Sequence, residues 1–152
     1  MNPPTNNLEG LVKNTPVGGS NGTDFEFQRP NPVRTIELWW GVGTDIEDAI
    51  VLRGLRVSWV NETESASVGS HDSGLSHTII NFSDGERVTQ MTIRAGWRAD
   101  KISFHTNKNF DYEAGGEGGE PYEQEVGNGT LLGFWGASGK DIDRLGAIFQ
   151  DK

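Results

Sequence analysis

Val88-Thr-Gln-Met-Thr-Ile-Arg-Ala-Gly-Trp-Arg-Ala-Asp-Lys-Ile-Ser-Phe104 holds the architecture of the chain in miniature. Val88 to Ile93 reads with period two, a loop opens at Gly96, and Lys101-Ile-Ser-Phe104 alternates again. A period of two puts successive side chains on opposite faces of a strand, one wet and one buried. Working outward, the same pattern recurs in Thr35-Ile-Glu-Leu-Trp-Trp40, Leu55-Arg-Val-Ser-Trp-Val60 and Tyr122-Glu-Gln-Glu-Val126. Between these lie Gly18-Gly19, Asn21-Gly22, Asp84-Gly85, Gly115-Gly116, Gly118-Gly119 and Asn128-Gly129, which are turn signals that tolerate positive φ. No window carries an amphipathic helical stripe with caps. The expectation is an all-β chain of about ten or more short strands.

Composition supports this and removes several functional classes. Glycine occurs 21 times in 152 residues, about twice the usual share of roughly 7%. The glycines fall in short clusters between strand patterns, which distinguishes turns from a low-complexity tract. Residues 1–10, with Pro3 and Pro4, read as a flexible tail, and residues 11–152 as one domain. Net charge is −9 and basic residues are scattered, so a nucleic-acid phosphate backbone is not an expected partner. A neutral ligand is indifferent to that charge. Mean hydropathy is −0.54, and the longest apolar run, Leu131 to Ala137, is broken by Gly133 and Gly136, so no membrane insertion is expected. Cysteine is absent, which excludes disulfides and thiolate metal sites. With no visible signal peptide, the expected location is cytoplasmic, or release by another route.

Three segments share a loop, an acidic residue and an apolar strand: Thr44-Asp-Ile-Glu-Asp48-Ala-Ile, Gly96-Trp-Arg-Ala-Asp100-Lys-Ile and Gly139-Lys-Asp-Ile-Asp143-Arg-Leu. Three glycine-bearing loops accompany them: Gly18-Gly-Ser-Asn-Gly22, His71-Asp-Ser-Gly74 and Gly115-Gly-Glu-Gly-Gly119. Three weak repeats, each too short to fold alone, predict a shared core with pseudo-threefold symmetry.

The order and spacing of Gly18-Gly-Ser-Asn-Gly22 with Phe25, Asp48-Ala-Ile, Phe104-His-Thr-Asn107-Lys108 and Gly133-Phe-Trp-Gly-Ala-Ser-Gly-Lys-Asp-Ile-Asp143-Arg-Leu-Gly146 resemble the jacalin-related lectins over about residues 8–150. The resemblance implies a type I β-prism of three four-stranded antiparallel sheets, and sugar binding between a glycine loop and a Gly-x-x-x-Asp loop. The residue types suit that chemistry. A carboxylate accepts from two vicinal hydroxyls, while glycine lets backbone N–H groups approach the ring.

By this resemblance Gly22, Gly139, Lys140, Asp141 and Asp143 form the leading site, Asp143 accepting from two hydroxyls and the backbone of Lys140 and Asp141 donating. A second site combines Gly96, Trp97 and Asp100 with Gly118 and Gly119, with the Trp97 indole offered to a sugar face. A third, ranked last, combines Asp45 and Asp48 with Gly74, and Thr44 stands there in place of the leading glycine. The partners implied are mannose- or glucose-type glycans, bound weakly at each site and reinforced by several sites or by a homo-oligomer. The mannose type follows because galactose binding in the family goes with a cleaved chain at the glycine loop, whereas this chain runs on before Gly18.

No cofactor or metal is expected: His71, His77 and His105 lack ligand spacing, and no catalytic motif is present. The three aspartates are expected in exposed polar loops, with no cause for a raised pKa and so no enzymatic role. Trp59 and Trp135 read as core, and the Trp39-Trp40 pair as facing opposite ways. The sequons at Asn21, Asn61, Asn81 and Asn128 read as chance products of composition. The reading of another class is a β-prism used for protein interaction or structure, with degenerate sugar loops.

Overall fold

Three hairpins organise the chain. The structure, a computed structural model, describes residues 10–46 and 48–152, so the tail expected over the first nine residues lies outside the described region. Gly10, at the end of that tail, is tied down: its carbonyl accepts from the Asp151 N–H at 2.7 Å. The strands are β1 (Leu11–Lys13), β2 (Val17–Gly18), β3 (Thr23–Gln28), β4 (Val33–Val42), β5 (Ile50–Trp59), β6 (Ser65–Gly69) and β7 (Ser76–Asn81). They continue as β8 (Val88–Ala95), β9 (Ala99–Thr106), β10 (Asp111–Gly115), β11 (Glu120–Gln124), β12 (Leu131–Ser138) and β13 (Ile142–Gln150).

Each sheet has a long central hairpin with one outer strand on either side. The orders are β6-β5-β4-β7, β10-β9-β8-β11 and β1-β13-β12-β3, with β2 also paired to β13. In the third sheet the outer position beside β13 is thus filled by two short pieces. All pairings are antiparallel. The three sheets are the faces of the expected β-prism. Its last sheet is closed by pairing of the first and last described strands, for Leu11 pairs with Gln150.

The sheets share one core, contributed by Ile36, Leu38, Leu55 and Val57, by Met91, Ile93 and Ile102, and by Phe134, Leu145 and Phe149. Each such side chain contributes about 1.5–3 kcal/mol on burial. The alternations in β4, β5, β8 and β9 are those visible in the sequence. In β12 and β13 alternation is missing because nearly every residue is buried on both faces. The segment after β1 covers their outer side: Gly146 lies so close to the Asn14 carbonyl that a Cβ would stand 2.3 Å from it.

Trp135 is not a core residue as expected from the sequence. It is half-buried on that outer side, its Nε1 donating to the Asn14 carbonyl at 2.6 Å with the Lys13 ammonium over its ring. Trp59 is in the core, 2% exposed. Trp40 packs toward the core, whereas Trp39 is on the other face of the strand, buried there between His71 and His77, which stack on it.

Gly18, Gly69 and Gly115 stand at matching places on the three outer strands, all at positive φ. A Cβ on each would fall 2.1, 2.3 and 2.1 Å from the carbonyl oxygens of Asp143, Arg53 and Asp100 respectively. Backbone, not a movable side chain, fills that space. Gly115→Ala is therefore expected to cost more than about 2 kcal/mol, through strain and collision together. Gly85→Ala, at φ +75 but in open space, should cost only about 1 kcal/mol. Urea midpoints of the two variants test this, and equal shifts would contradict it.

Candidate functional site

One bulged residue per sheet decides where the functional side chains lie. In β12–β13 the pairing passes from Ala137↔Arg144 to Ser138↔Ile142, which leaves Asp143 as the extra residue. In β8–β9 it passes from Arg94↔Lys101 to Ala95↔Ala99, leaving Asp100. In β4–β5 it passes from Trp39↔Gly54 to Trp40↔Leu52, leaving Arg53. A bulge adds twist and re-aims the unpaired side chain. The three residues are equivalent by a second measure, since their carbonyls are the ones against which Gly18, Gly115 and Gly69 press.

Asp48 is therefore not the counterpart of Asp143, although its place in the loop suggested so. The β4–β5 hairpin continues past its bulge for three pairs, ending at Val42↔Ile50, where the other two continue for one. That extension carries Asp48 away from the acid position, to an exposed turn at φ 58. Gly74 has nothing within 4 Å of where its Cβ would stand. Asp45, also at positive φ, instead lines the groove of the Asp143 loop together with Gly22, Gly139, Lys140, Asp141 and Asp143.

The other two acids meet their glycines. A Cβ on Gly22 would stand 2.4 Å from Asp143 Oδ2, and one on Gly119 would stand 2.4 Å from Asp100 Oδ2. Gly139 lies 3.9 Å from the Asp143 carboxylate, and Gly96 and Gly118 each lie 3.8 Å from that of Asp100, by the same measure. The glycines thus leave the acids room that no larger residue would leave.

Neither acid is in an exposed loop. Asp143 and Asp100 are 5% and 7% exposed, each within its strand. Burial pushes the Asp100 carboxyl up to about 6, with only the distant attraction of Arg94 pulling it back. Burial also raises Asp143, against the lowering pull of Arg98, and neighbouring Asp141 adds to the rise. The sequence expectation of ordinary pKa values fails because the bulge turns both carboxylates inward. Among the described residues Asp100 makes no ion pair, and Asp143 makes one long contact, 3.6 Å, with Arg98 Nε. The Gly139 N–H also helps hold the Asp143 carboxylate; the rest of its acceptor capacity, and that of Asp100, is unspent, which is costly for a structural residue and useful for one that receives hydroxyl donors.

Asp141 behaves differently. Its carboxylate is 2% exposed and fully engaged: Oδ2 accepts from the Thr44 N–H at 2.9 Å and from Arg98 Nε at 3.0 Å. Oδ1 accepts from the Thr44 hydroxyl at 3.0 Å and pairs with Arg53 Nε at 2.6 Å. This side chain ties together loops of all three sheets and has nothing left for a ligand. Arg53 also donates to the Lys140 carbonyl, as does the Ser70 hydroxyl. In the second repeat the acid position is thus occupied by an arginine spent on bracing the first site.

Other arginines hold the glycine loops. Arg144 Nη1 donates to the carbonyls of Gly19 and Asn21, and its Nη2 pairs with Asp24 at 2.6 Å. Arg94 donates to the carbonyls of Gly118 and Gly119. These bracing residues were missed in the sequence. The one available signal is the basic residue directly after each acid, Lys101 and Arg144. Lys101 pairs with Glu117 inside the third glycine loop. Trp97 is 82% exposed and lines a groove with Gly19, Ser20, Asn21, Gly96 and Arg98, on the side of the first loop. Among the described residues no group of three or more His, Asp or Glu is placed to hold a metal ion.

Three hairpin sheets whose bulges turn a side chain toward a glycine loop define the class: a type I β-prism of the lectin kind. The family model described as the Jacalin-like lectin domain matches residues 14–148, and the chain belongs to that family, one of non-enzymatic carbohydrate-binding proteins. The lamprey immune protein is similar over 95% of this chain, at 24% identity and a TM-score of 0.80. The chain spans about half, 45%, of that protein's length. A Malaysian banana lectin, at 20% identity and a TM-score of 0.77, matches over 94% of this chain and 99% of its own. A mannose-binding jacalin-related lectin from Ananas comosus, at 21% identity and a TM-score of 0.73, matches over 93% and 99%. At these identities the structures establish the fold alone. No curated protein sequence matches the chain.

The raised pKa of Asp100 has a stability consequence of definite sign. A folded-state value near 6 above an ordinary value near 3.9 means that the native state favours the neutral acid. The stability this gives is complete below the ordinary value and is lost as pH rises through about 6. Asp100→Asn should therefore raise stability at pH 7.5, by roughly 1–3 kcal/mol, and have little effect at pH 3.5. Thermal melts at the two pH values check it. Equal shifts at both would show that the acid is not destabilised by burial.

Proposed function

We propose that the chain binds mannose- or glucose-type glycans without metal, through the Gly22/Gly139–Asp143 loop pair and a second position at Asp100 with Gly118 and Gly119. The carrying observation is that two equivalent bulges each set a buried carboxylate, with most of its acceptor capacity unspent, against a glycine that leaves no room for a Cβ. Each carboxylate accepts from two vicinal hydroxyls of a hexose, with directionality that water does not match. The backbone N–H groups of Lys140 and Asp141 donate to the sugar oxygens. Neither is spent on another acceptor among the described residues, whereas the Lys140 carbonyl accepts from Arg53 and Ser70 and the Asp141 carbonyl from the Gly139 N–H.

A shallow polar site exchanges sugar for water hydrogen bonds nearly evenly, so each position binds in the millimolar range, about −4 kcal/mol. Two positions on one chain then supply avidity toward branched or clustered glycans. The second repeat contributes none, since Arg53 fills its acid position. Sugar binding needs ionised acids, so affinity falls as the solution is acidified through about pH 6 at Asp100.

Isothermal titration with methyl α-mannoside tests the proposal. Asp143→Asn removes the charge that strengthens two hydrogen bonds and should weaken its site at least about tenfold. Asp100→Asn should do the same at its own position, and Asp48→Asn should do nothing. Binding should persist in EDTA. An Asp100/Asp143 double variant that binds like the parent, or binding that EDTA abolishes and calcium restores, would overturn the assignment.

A further inference from the structure

We infer that Asn21 and Gly22 form a self-modification site, at which the chain converts its own asparagine into aspartate or isoaspartate and so closes the Asp143 groove with age. The chemistry needs no enzyme and stands by itself. Its effect on binding rests on the sugar reading of the Asp143 loop.

Asparagine is a labile residue, and most so before glycine, which has no side chain to shield its amide. The Gly22 nitrogen gives its proton to solvent base and attacks Asn21 Cγ. The bond from Cγ to the side-chain nitrogen breaks and ammonia leaves, which gives a five-membered succinimide. Water then opens the ring at either carbonyl. One opening yields aspartate. The other yields isoaspartate, whose backbone runs through the former side chain and is one carbon longer. Nothing is oxidised or reduced.

The chain holds two Asn-Gly pairs, and the structure separates them. At Asn128-Gly129 both reacting groups are tied down. Asn128 Oδ1 accepts from the Thr130 N–H at 2.9 Å, the Gly129 N–H donates to the Val126 carbonyl at 2.7 Å, and Gly129 is buried. Asn21 and Gly22 are both exposed. Among the described residues no hydrogen bond holds the Asn21 side chain or the Gly22 N–H, whereas the frame around them is fixed. The Asn21 carbonyl accepts from Arg144 Nη1 at 3.3 Å, the Gly19 N–H donates to the Asp143 carbonyl at 2.8 Å, and Thr23 pairs with Ser138.

That fixed frame is what makes the product matter. Asn21 lines the Asp143 groove of about 270 Å³. Gly22 is seated so closely that a Cβ there would stand 2.4 Å from Asp143 Oδ2. An extra backbone carbon between fixed ends displaces Gly22 from that seat. The aspartate product keeps the backbone but sets a second negative charge at the groove, which opposes the ionised Asp143. The position that matches Asn21 beside Asp100 is Gly118, because Gly18 and Gly115 are equivalent. Only one of the two acid positions is therefore open to the change.

The test uses the whole chain in the Asp100→Asn background, so that only the Asp143 position reports. One sample is held for several days in mildly alkaline buffer and another in mildly acidic buffer, where the Gly22 nitrogen keeps its proton. Both are then returned to the same neutral buffer. Peptide mapping with an acid-active protease should show, at Asn21 of the alkaline sample, the mass gain of an NH2 exchanged for OH, with isoaspartate among the products. The Asn128 peptide should stay unchanged. The heat of binding methyl α-mannoside should fall in step with the modified fraction, several-fold once most of the chain has changed. Asn21→Gln, whose ring would have six members and closes far more slowly, should keep its own starting affinity through the same treatment. An Asn21 that stays intact, or an Asn128 that changes as fast, overturns the site. A modified Asn21 with unchanged binding, or an equal loss in Asn21→Gln, overturns its control of the groove and leaves the Asp143 reading intact. If the unaged protein binds no sugar, the Asp143 reading fails and the control of binding fails with it, while the peptide masses still decide whether Asn21 modifies itself.

Discussion

The buried carboxylate of Asp141 is the constraint on which the end of the prism that carries the proposed sugar loops depends. It receives Thr44 from the β4–β5 loop, Arg53 from β5 and Arg98 from the β8–β9 loop, so one side chain sets the mutual position of three sheets. A buried ion pair is weak evidence for net stability, because desolvation offsets most of the attraction. Its value here is positional. Loops carried on separate sheets would otherwise be free to shift by the ångström that a hydroxyl-binding site cannot tolerate. Removing the acid would strand two partly buried guanidinium groups, which is the expensive way to break such a network.

The same network explains why the threefold pattern is broken. Three equivalent bulges are present, but only two carry an acid toward a glycine. The third carries Arg53, which reaches across to Asp141 and to the Lys140 carbonyl. One potential site has been converted into a brace for its neighbour. At the remaining two, stability and the proposed sugar binding pull in opposite directions. Asp100 and Asp143 hold their carboxyls above the ordinary range through burial, a cost in the free protein that the proposed sugar hydroxyls would relieve. Destabilised groups of this kind gather where a protein works.

Much of the site was legible because its signals are local. Gly22 and Asp143, and Gly119 and Asp100, are identifiable from loop composition and order. Asp48 was misplaced because register is not local: three pairs beyond the bulge instead of one move the acid position to Arg53. The burial of Asp100 and Asp143 was equally hidden, since whether an aspartate after a turn faces water or the interior depends on a bulge that no alternation reveals. Trp135 read as core because it sits in an apolar run, yet that run is apolar on both faces only because Asn14 and Lys13 lie across the outer one.

What the sequence determined by itself was the strand content, the three-part repeat and the glycine-plus-acid chemistry. These rest on side-chain period, on turn residues that accept positive φ and on the donor and acceptor types of a few loops, all encoded within stretches of ten residues or fewer. Tertiary structure alone decided that the Asp141 carboxylate is spent as a brace, that Arg53 takes the acid position of one repeat, and that Trp97 borders the first loop. Each of those outcomes joins residues some forty or more positions apart, through hydrogen bonds such as that from Arg98 to Asp141. Such contacts exist only after three separately formed sheets have packed on a common core, and their energy depends on a burial that no single segment possesses.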